Sequence, residues 1–488
     1  MTDKLKFNLG KSLPFLQIFK KDGKTDKLLL SIFILINLLV LVNALLHPPE
    51  IGYDANDHLE YVRTLPFQLP DKEENREFFS PPLPYFVPSL VDEACVAIFG
   101  EEDFAGPDIS CRRVSGKFAQ FVNLLLSVGL TFLLLHIAEL LHPGDRILKL
   151  TTLALLAVLS VYYKTFAQVR GEPYVAFFTI LAIFLVLKIL TADDAANWKA
   201  GIPLGIALGC ALLSRQWSIL IFPALFSLGL LIFFKDKASG IAFGKIILTG
   251  LLVAFVVSSW FYFSLYFRYG SFTAFNRPQT EFAFSNMPRT FYRNTGLGEL
   301  QLFKTPRRPF FDNQFIPTFY SDTWGDYWGY WILVRRTPYR NWVCPNNIQE
   351  ITPYLGRANF VSLIPTLILA GGFLLGSLNI FGVIIEKRKS NTIQLFHAFL
   401  ILIVLFSFAG YLYFVISYPF MTNGDTIKGT YMLHMFIALV MLGAAFLRWV
   451  TERIPKSTYI YFIILALVFL HNLPVFITRY YVICERAT

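Results

Sequence analysis

The sequence predicts an all-α polytopic membrane protein with about eleven transmembrane helices. The 488-residue chain is 55% hydrophobic and only 16% charged, whereas soluble domains carry about 25% charged residues. Apolar runs long enough to cross a bilayer recur along its length. The net charge of +10 is concentrated before the first run and in the loops. That placement is typical of membrane topology and contact with anionic lipids, and it excludes a nucleic-acid partner.

The apolar runs define the spans and the domain organisation. They lie at about 28–46, 118–141, 148–163, 173–190, 201–213, 217–234, 241–267, 358–384, 393–417, 431–447 and 458–476, and the run at 201–213 is short for a span. We therefore expect a cytoplasmic N-terminus (1–27), a transmembrane module (28–267) that includes an external loop (47–117), a second external loop (268–357) and C-terminal transmembrane helices (358–488).

Basic residues orient these spans. Arg146, Lys199, Lys235 and Arg448 fall in alternate short loops, and together with the lysine-rich N-terminus they place those loops in the cytoplasm. Both long loops then lie outside. Because irregular backbone cannot face lipid, we expect short interfacial helices in both of them.

Two further features bear on the cellular location. The first run is followed by "HPPEIG" instead of a small-residue cleavage site, which indicates a retained anchor. The sequence has no N-x-S/T acceptor for glycosylation. We therefore expect a multi-pass protein of a prokaryotic plasma membrane, with its active site on the external face.

Polar residues are distributed unevenly. Nearly all the unusual ones lie in the predicted external segments, and the spans carry almost no charge at mid-membrane. Transporters place ionisable residues and broken helices there. The distribution therefore favours chemistry at the outer surface over transport.

The segment "GYDANDHLEYV" follows the first span and is rich in carboxylates. If it is helical, Asp54, Asp57 and His58 lie at i, i+3 and i+4 and share one face. Neighbouring carboxylates raise the proton affinity of one another, which suits a general base acting on a hydroxyl. The alternative is a solvated loop that caps a helix. These residues could also bind a divalent cation, but without a second cluster we assign no metal site, and no cofactor is certain.

Further motifs follow in a characteristic order. "FFSPPLPYFV" contains Pro81, Pro82, Leu83 and Tyr85, "ISCRRVSGKF" contains Arg112 and Ser115, and "VRGEPYVAFF" opens a later span. Together with the acidic segment that contains Asp54, these motifs cover about the first 220 residues. In their order, this part of the chain resembles the GT-C superfamily of membrane glycosyltransferases. The similarity is to bacterial relatives of protein O-mannosyltransferases and lipid A aminoarabinose transferases.

In that family an acidic motif stands in the first external loop. Tyr53, Asp54 and His58 match it, and Ala55 stands where a glutamate is common. The resemblance implies a GT-C fold and transfer of a hexose or pentose from a polyprenyl-phosphate donor to an external acceptor, which could be protein, lipid or glycan. It implies Asp54 as general base, and substrate contacts from Tyr85, Arg112 and, in the later segment "KGTYMLHMF", Tyr431.

A lipid-linked phosphate should meet cations at the outer membrane surface. Arg170, Arg215 and Lys428 lie at predicted external span ends, and arginines of the second loop are further candidates. Cations at span ends also extend towards lipid head groups without any substrate. In "VRGEP", however, Glu172 accompanies Arg170 just before a proline suited to a first helical turn, which can direct both side chains into an external cleft.

The second long loop contains "FYSDTWGDYWGYW". Its aromatic side chains, Trp324 among them, could stack on sugars or form an ordinary interfacial belt. Asp322 and Asp326 could position the acceptor or bind a divalent ion with the first loop. We expect the largest external cavity to be lined by Asp54 and by residues of both loops.

Some alternatives remain open at the level of sequence. A flippase or transporter of lipid-linked sugars would also need a basic, aromatic outer cleft. A ligase that moves a whole glycan from a lipid diphosphate would share the fold class. Cys95 and Cys111 lie in one external loop and could form a disulfide or remain free buried thiols.

Overall fold

The computed structural model describes residues 18–21, 24–100, 110–192, 197–276, 280–333, 342–343, 347–385, 391–418, 424–480 and 485–486. Most of the predicted cytoplasmic N-terminus (1–27) therefore lies outside the described residues.

The described elements are almost all helical. In chain order the helices are α1 Lys27–Leu46, α2 Ala55–Thr64, α3 Leu83–Phe99, α4 Cys111–Leu141, α5 Arg146–Ala157, α6 Ser160–Ala167, α7 Glu172–Thr191, α8 Gly201–Leu212, α9 Ile221–Lys235, α10 Lys237–Tyr269, α11 Arg289–Arg293, α12 Gln301–Lys304, α13 Phe315–Trp324, α14 Ile348–Val361, α15 Leu363–Ile385, α16 Thr392–Ser417, α17 Leu433–Arg453 and α18 Ser457–Phe476. The strands are β1 Lys20–Lys21, β2 Lys24–Thr25, β3 Trp342–Val343 and β4 Glu485–Arg486; β1 pairs antiparallel with β2, and β3 with β4.

The helical membrane architecture is confirmed. Within the described ranges, 9 helices are long and apolar enough to cross a membrane. The helices α5 and α6 form one more candidate, bent by 65° at their junction, and Trp198–Leu212 is apolar but shorter. Each predicted run thus corresponds to a helix, although one is broken and one is short.

The bend corrects one expectation. The sequence showed no sign of a broken span, yet α5 and α6 meet at Val158 and Leu159, and Leu159 has an extended backbone. Lys164 of α6 is buried, with 1% of its side chain exposed. A discontinuous helix with a buried charge is a feature that transporters share.

The segments predicted for opposite sides of the membrane lie at opposite ends of the bundle. At one end, ion pairs join three predicted cytoplasmic segments: Arg146 with Asp26, Lys149 with Glu139, and Arg448 with Asp145. At the other end the two long loops fold over the helix ends. Short helices α2 and α3 occupy the first loop, and α11 to α13 the second.

Two local features fix the helices that lead to the second end. Cys95 at the end of α3 forms a disulfide with Cys111 at the start of α4, which settles the alternative that the sequence left open. The short α8 packs tightly on α10, because a Cβ on Gly201 or Gly205 would lie within 2.5 Å of an α10 backbone carbonyl oxygen. Close helix contact through small residues is common in membranes, and it sets the position of Arg215, which follows α8.

Candidate functional site

A cleft opens where the two long loops meet the helix ends. It has about 720 Å³ of empty space, including the part open to solvent. Its lining combines both loops with the ends of early and late helices: Asp54, Glu77, Phe79, Arg170, Arg215, Trp217, Phe275, Asn276, Phe414, Tyr418, Asp425, Thr426, Lys428 and Tyr431. A common cavity containing Asp54 and both loops was predicted, and the structure contains it.

The cleft is not the largest hollow. An apolar groove of about 1240 Å³ runs beside α8 and α10 and reaches Phe272 and Thr273. Gln216 lies between the two spaces, because it lines the groove and its side-chain amide donates to the carbonyl oxygen of Phe79 in the cleft wall. The prediction that the largest cavity would contain Asp54 is therefore wrong, because the groove is larger than the cleft. The groove adjoins the cleft at Gln216.

Asp54 stands at the mouth of the cleft, immediately before α2. Its backbone is left-handed, with φ 54° and ψ 25°, and its side chain is 49% exposed. Lys428 Nζ lies 3.5 Å from Asp54 Oδ2. The positive field of Lys428, opposed by partial burial and assisted by Arg170, lowers the pKa of Asp54 to about 2. The expected increase in its proton affinity is therefore wrong, and Asp54 is ionised at neutral pH.

Asp57 behaves differently. It is partly buried on α2 and does not line the cleft. Burial, and then the negative charges of Asp54 and Glu77, raise its pKa above the ordinary value. The sequence argument for a raised proton affinity therefore applies to Asp57 and not to Asp54.

His58 is buried beneath the cleft. Arg215 Nη2 lies 3.2 Å from its Nε2, and Tyr85 Oη lies 2.9 Å from its Nδ1. Because a guanidinium can only donate, Nε2 is the acceptor and Nδ1 carries the proton. Burial, followed by the charges of Arg215 and Arg170, holds the pKa of His58 well below its ordinary value. His58 is thus a neutral ring that orients Arg215, and it does not share an open face with Asp54 and Asp57.

Two of the predicted phosphate ligands form a buried ion-pair network in the cleft wall. Arg170 donates from Nε and Nη2 to Glu172, at 2.6 and 3.0 Å. Arg215 donates from Nη1 to Glu77 at 3.1 Å and to Ser80 at 2.6 Å, and its Nε lies 3.3 Å from Glu172. Glu172 thus lies beneath the cleft as the counter-ion of two arginines. Glu77 was missed, although it directly precedes "FFSPPLPYFV".

Of the three described cations that line the cleft, Lys428 has the most unused donor capacity. Its ammonium group lies 4.7 Å from the ring centre of Tyr53 and 5.5 Å from that of Tyr431. The positions of the two residues in the sequence did not indicate that Lys428 would contact Asp54. Its hydrogen bond to Asp54 is long, at 3.5 Å. An ammonium has three donors, so Lys428 can accept a further anion.

An aromatic wall completes the cleft. The ring centre of Trp217 lies 4.8 Å from that of Tyr431 and 5.9 Å from that of Phe414. Within the described residues, Trp217 Nε1 and Thr426 Oγ1 are buried and have no hydrogen-bond partner. Trp217 was missed as a site residue, and its position two residues after Arg215 was the available signal.

Asp322, Trp324 and Asp326 are placed elsewhere than predicted. Trp324 is 3% exposed and packs in the core, and Asp322 and Asp326 are fully buried. Asp326 accepts from a run of backbone N–H groups, those of Gly329, Tyr330, Trp331, Ile332 and Leu333. None of the three lines the cleft, so direct contact with substrate there is contradicted by their burial.

Tyr85 and Arg112 also lie away from the lining. Tyr85 is fully buried against His58 and Tyr61. Arg112 holds α2 from its outer side, with Nη1 2.6 Å from Glu60 and Nη2 3.1 Å from the side chain of Asn56. Both therefore support the helix that follows Asp54, and neither is placed to touch a ligand in the cleft.

The described part of the chain contains no group of three His, Cys, Asp or Glu side chains that could hold a metal ion. The lining of the cleft therefore combines the exposed carboxylate of Asp54, the less exposed carboxylates of Glu77 and Asp425, three cations and an aromatic wall. Such a site can bind an anion beside a base.

Comparisons with known proteins give a limited likeness. No family model matches the chain, and no curated protein matches it. A crystal structure of ArnT from Cupriavidus metallidurans bound to undecaprenyl phosphate is similar, with a TM-score of 0.48, 11% identity, and coverage of 90% of this chain and 63% of that chain. The chain thus spans less than two thirds of the length of that neighbour.

A second crystal structure, of ArnT from the same organism in the apo state, has a TM-score of 0.37 and 14% identity, with coverage of 86% and 76%. At these values the likeness alone assigns neither a family nor an activity to this chain.

Proposed function

We propose that the chain is an integral membrane glycosyltransferase of the GT-C kind, in which Asp54 is the general base. The proposed reaction transfers a sugar from a polyprenyl-phosphate donor to an acceptor hydroxyl. The observation that carries the proposal is the meeting of the exposed Asp54 carboxylate with Lys428, Arg170 and Arg215 in one cleft at the ends of apolar helices. A lipid anchor would hold a phosphate at that depth.

The phosphate would bind chiefly to Lys428. Arg170 and Arg215 have carboxylate partners at 3.1 Å or closer, whereas the hydrogen bond of Lys428 to Asp54 is long, and Asp425 acts on Lys428 through its charge. The two arginines keep the wall from becoming negative, since they offset Glu77 and Glu172. The unpartnered Trp217 Nε1 adds a neutral donor, which an oxygen of the donor would satisfy.

The lipid tail would approach through the apolar groove. The groove adjoins the cleft at Gln216 and lies mainly along α10, which is long and apolar enough to cross a membrane. A tail in that position leaves the solvent-exposed mouth beside Asp54 for the acceptor.

In the transfer step Asp54 takes the proton of the acceptor hydroxyl as its oxygen bonds to the anomeric carbon. The bond from that carbon to the phosphate oxygen breaks, and the phosphate leaves with the electron pair. Lys428 stabilises the phosphate charge that develops. Because the phosphate shares the field of Lys428, the proton affinity of Asp54 rises when the donor binds, which makes Asp54 a better base in the complex than in the free protein.

The disulfide supports an external site. Cys95 and Cys111 are joined in the loop that also carries Asp54, and disulfides persist in oxidising compartments. The positive-inside pattern also favours the external side for this loop. We infer a prokaryotic plasma membrane with the cleft on its outer face, in which the helices up to 267 and those after 357 form two modules that close the cleft. The acceptor could be a protein, a lipid or a glycan.

The bend between α5 and α6 favours a second candidate, a flippase for lipid-linked sugars. Lys164 beyond the bend is neutralised by Asp322, at 2.6 Å. The ion pair therefore connects the bent helix to the second loop, so the buried charge of Lys164 has a structural role.

A panel of polyprenyl-monophosphate sugars tests the proposal. Purified protein in nanodiscs should release polyprenyl phosphate and form a glycosylated acceptor with at least one donor of the panel. The same panel in proteoliposomes measures flipping, and lipid-diphosphate glycans test the ligase reaction. Flipping without release, or transfer only from diphosphates, would replace the proposal with the corresponding alternative.

A further inference from the structure

Asp322 lies beneath the cleft, and its side chain binds three other parts of the chain. Its Oδ1 accepts from Tyr53 Oη at 2.7 Å and from Lys164 Nζ at 2.6 Å. Its Oδ2 accepts from the backbone N–H of Gly429 at 2.6 Å. Asp322 is 0% exposed, so these contacts are shielded from water.

Two of these partners are chain neighbours of the charge pair in the cleft. Tyr53 precedes Asp54, and Gly429 follows Lys428. Asp54 has a left-handed backbone, which is uncommon for a residue with a Cβ, although aspartate adopts it more readily than most, so its position benefits from a local constraint. The buried bond from Tyr53 to Asp322 is such a constraint, one residue away.

The ring of Tyr53 also supports the cations. Lys428 Nζ lies 4.7 Å and the Arg170 guanidinium carbon 5.4 Å from the centre of that ring. A shift of the ring would therefore move the surface on which both cations rest.

The segment of Lys428 is pressed closely onto α13. A Cβ on Gly429 would lie 2.8 Å from Thr323 Oγ1 and 3.2 Å from the Thr323 backbone nitrogen. This approach brings the Gly429 N–H to Asp322. The same carboxylate thus fixes the backbone on both sides of the cleft.

We propose that Asp322 is a positioning residue, which holds Asp54 and Lys428 opposite one another by fixing Tyr53 and Gly429. It touches no substrate, and its importance for catalysis rests on the proposed function. Lys164 is the buried ion-pair partner of Asp322, which offsets the cost of placing this carboxylate in the interior.

The test measures the protonation of Asp54 without any sugar donor. A water-soluble carbodiimide with an amine nucleophile labels protonated carboxyl groups, and peptide mass spectrometry resolves the labelling rate of Asp54. The titratable groups that face Asp54 are Lys428, Arg170, the neutral His58 and the nearby Asp57. Exposed Asp71 in the same loop is an internal reference.

The main variant is Asp322→Asn combined with Lys164→Met, which removes both buried charges and leaves the net charge unchanged. If Lys428 is released from Asp54, the pKa of Asp54 moves from about 2 towards 3.8. The labelling rate at pH 5 then rises at least about fivefold, with an upper limit of about 60-fold from the protonated fractions at the two pKa values.

Asp326→Asn is the matched control. Asp326 is an equally buried carboxylate of the same loop, but its acceptor bonds go to residues 329–333. It should lower thermal stability and leave the labelling of Asp54 unchanged.

Unchanged labelling of Asp54 in a folded double variant would overturn the proposal, as would an equal increase in Asp326→Asn. If the double variant does not fold, Tyr53→Phe decides, because it keeps the ring and removes one bond to Asp322. An increase of more than about twofold in labelling is then required. Because no donor is used, failure of the proposed sugar transfer would show separately as the absence of product from wild-type protein.

Discussion

Lys428 Nζ and Asp54 Oδ2 lie 3.5 Å apart, although 374 positions separate the two residues in the chain. The lysine is buried to 5% side-chain exposure, whereas the aspartate is 49% exposed. One partner is therefore held by the protein and the other faces the open cleft. A long, half-open pair of this kind can admit a phosphate between its members, which a short and fully buried pair such as Arg170 with Glu172 cannot do.

Asp54→Asn is expected to abolish most transfer. The amide keeps the size and the hydrogen bonding of the side chain but cannot accept the proton of the acceptor, so turnover should fall about 100-fold or more. The measurement is release of polyprenyl phosphate from the active donor at saturating concentration.

Asp57→Asn is the control for that experiment. Asp57 is on the same helix but does not line the cleft, so its loss should change turnover by less than about tenfold. Near-normal turnover of a folded Asp54→Asn protein would remove Asp54 from the mechanism.

Lys428→Gln is expected to weaken binding of polyprenyl phosphate by about 10-fold to 100-fold, since a hydrogen bond to a charged group contributes about 1.5–3 kcal/mol. Titration of the protein in nanodiscs with a short-chain polyprenyl phosphate measures the Kd.

Arg268→Gln removes a charge of the same sign from the outer rim, where Arg268 pairs with Asp71 at 2.9 Å. Its effect on the Kd should be within about threefold, as for an exposed ion pair. Equal effects of the two changes would mean that only the general positive field attracts the lipid.

The helices could be predicted from the sequence because length and hydropathy determine them locally. The gathering of Arg170, Arg215 and Lys428 at one end also followed from topology, since cations at external span ends must share one surface. The bend at Val158 and Leu159 was not predicted, because the sequence contains no proline or glycine at that point.

The side-chain roles were predicted less well. Asp322 and Asp326 were expected to face a ligand because carboxylates in an aromatic loop are costly to bury. In the structure, Lys164 offsets that cost for Asp322, and backbone N–H groups offset it for Asp326. The spacing of residues in the sequence does not show which groups will contact these carboxylates in the fold. The low pKa of Asp54 likewise depends on Lys428, which no local pattern connects to it.

The Cys95–Cys111 disulfide is expected to stabilise the first loop. It closes a loop with a sequence separation of 16, for which restriction of the unfolded chain gives about 3 kcal/mol. Replacing both cysteines with serine should lower the Tm by several degrees, and reductant should reproduce the effect in the wild-type protein. The Cys210→Ser variant, which removes a free and partly buried thiol, should respond to reductant as the wild type does. If reductant left the wild-type Tm unchanged, the bridge would not contribute to stability.

The last prediction concerns pH. The folded-state pKa of Asp54, about 2, lies below its ordinary value of 3.8 because of Lys428. The charge pair therefore favours the folded state above pH 3.8, and its contribution is lost as the pH falls through 3.8 towards 2. Since kcat/KM reports the free enzyme, protonation of Asp54 should produce no acid limb in kcat/KM between pH 4 and 8.

Donor binding should change this behaviour. The phosphate shares the field of Lys428, so the pKa of Asp54 rises in the complex and the acid limb of kcat lies at higher pH than that of kcat/KM. In Lys428→Gln the field is absent, and the acid limb of kcat/KM should move upward by more than about one unit, towards 3.8. The pH profiles of both proteins are measured with the same donor, so that the titration of the donor phosphate affects both equally. The Asp57→Asn variant identifies any acid limb that belongs to Asp57, whose pKa is raised. If the two groups interact as they do in the structure, removal of Lys428 must raise the pKa of Asp54. An acid limb of kcat/KM that lies at the same pH in Lys428→Gln as in the wild type would therefore show that Lys428 does not set the protonation of the catalytic base.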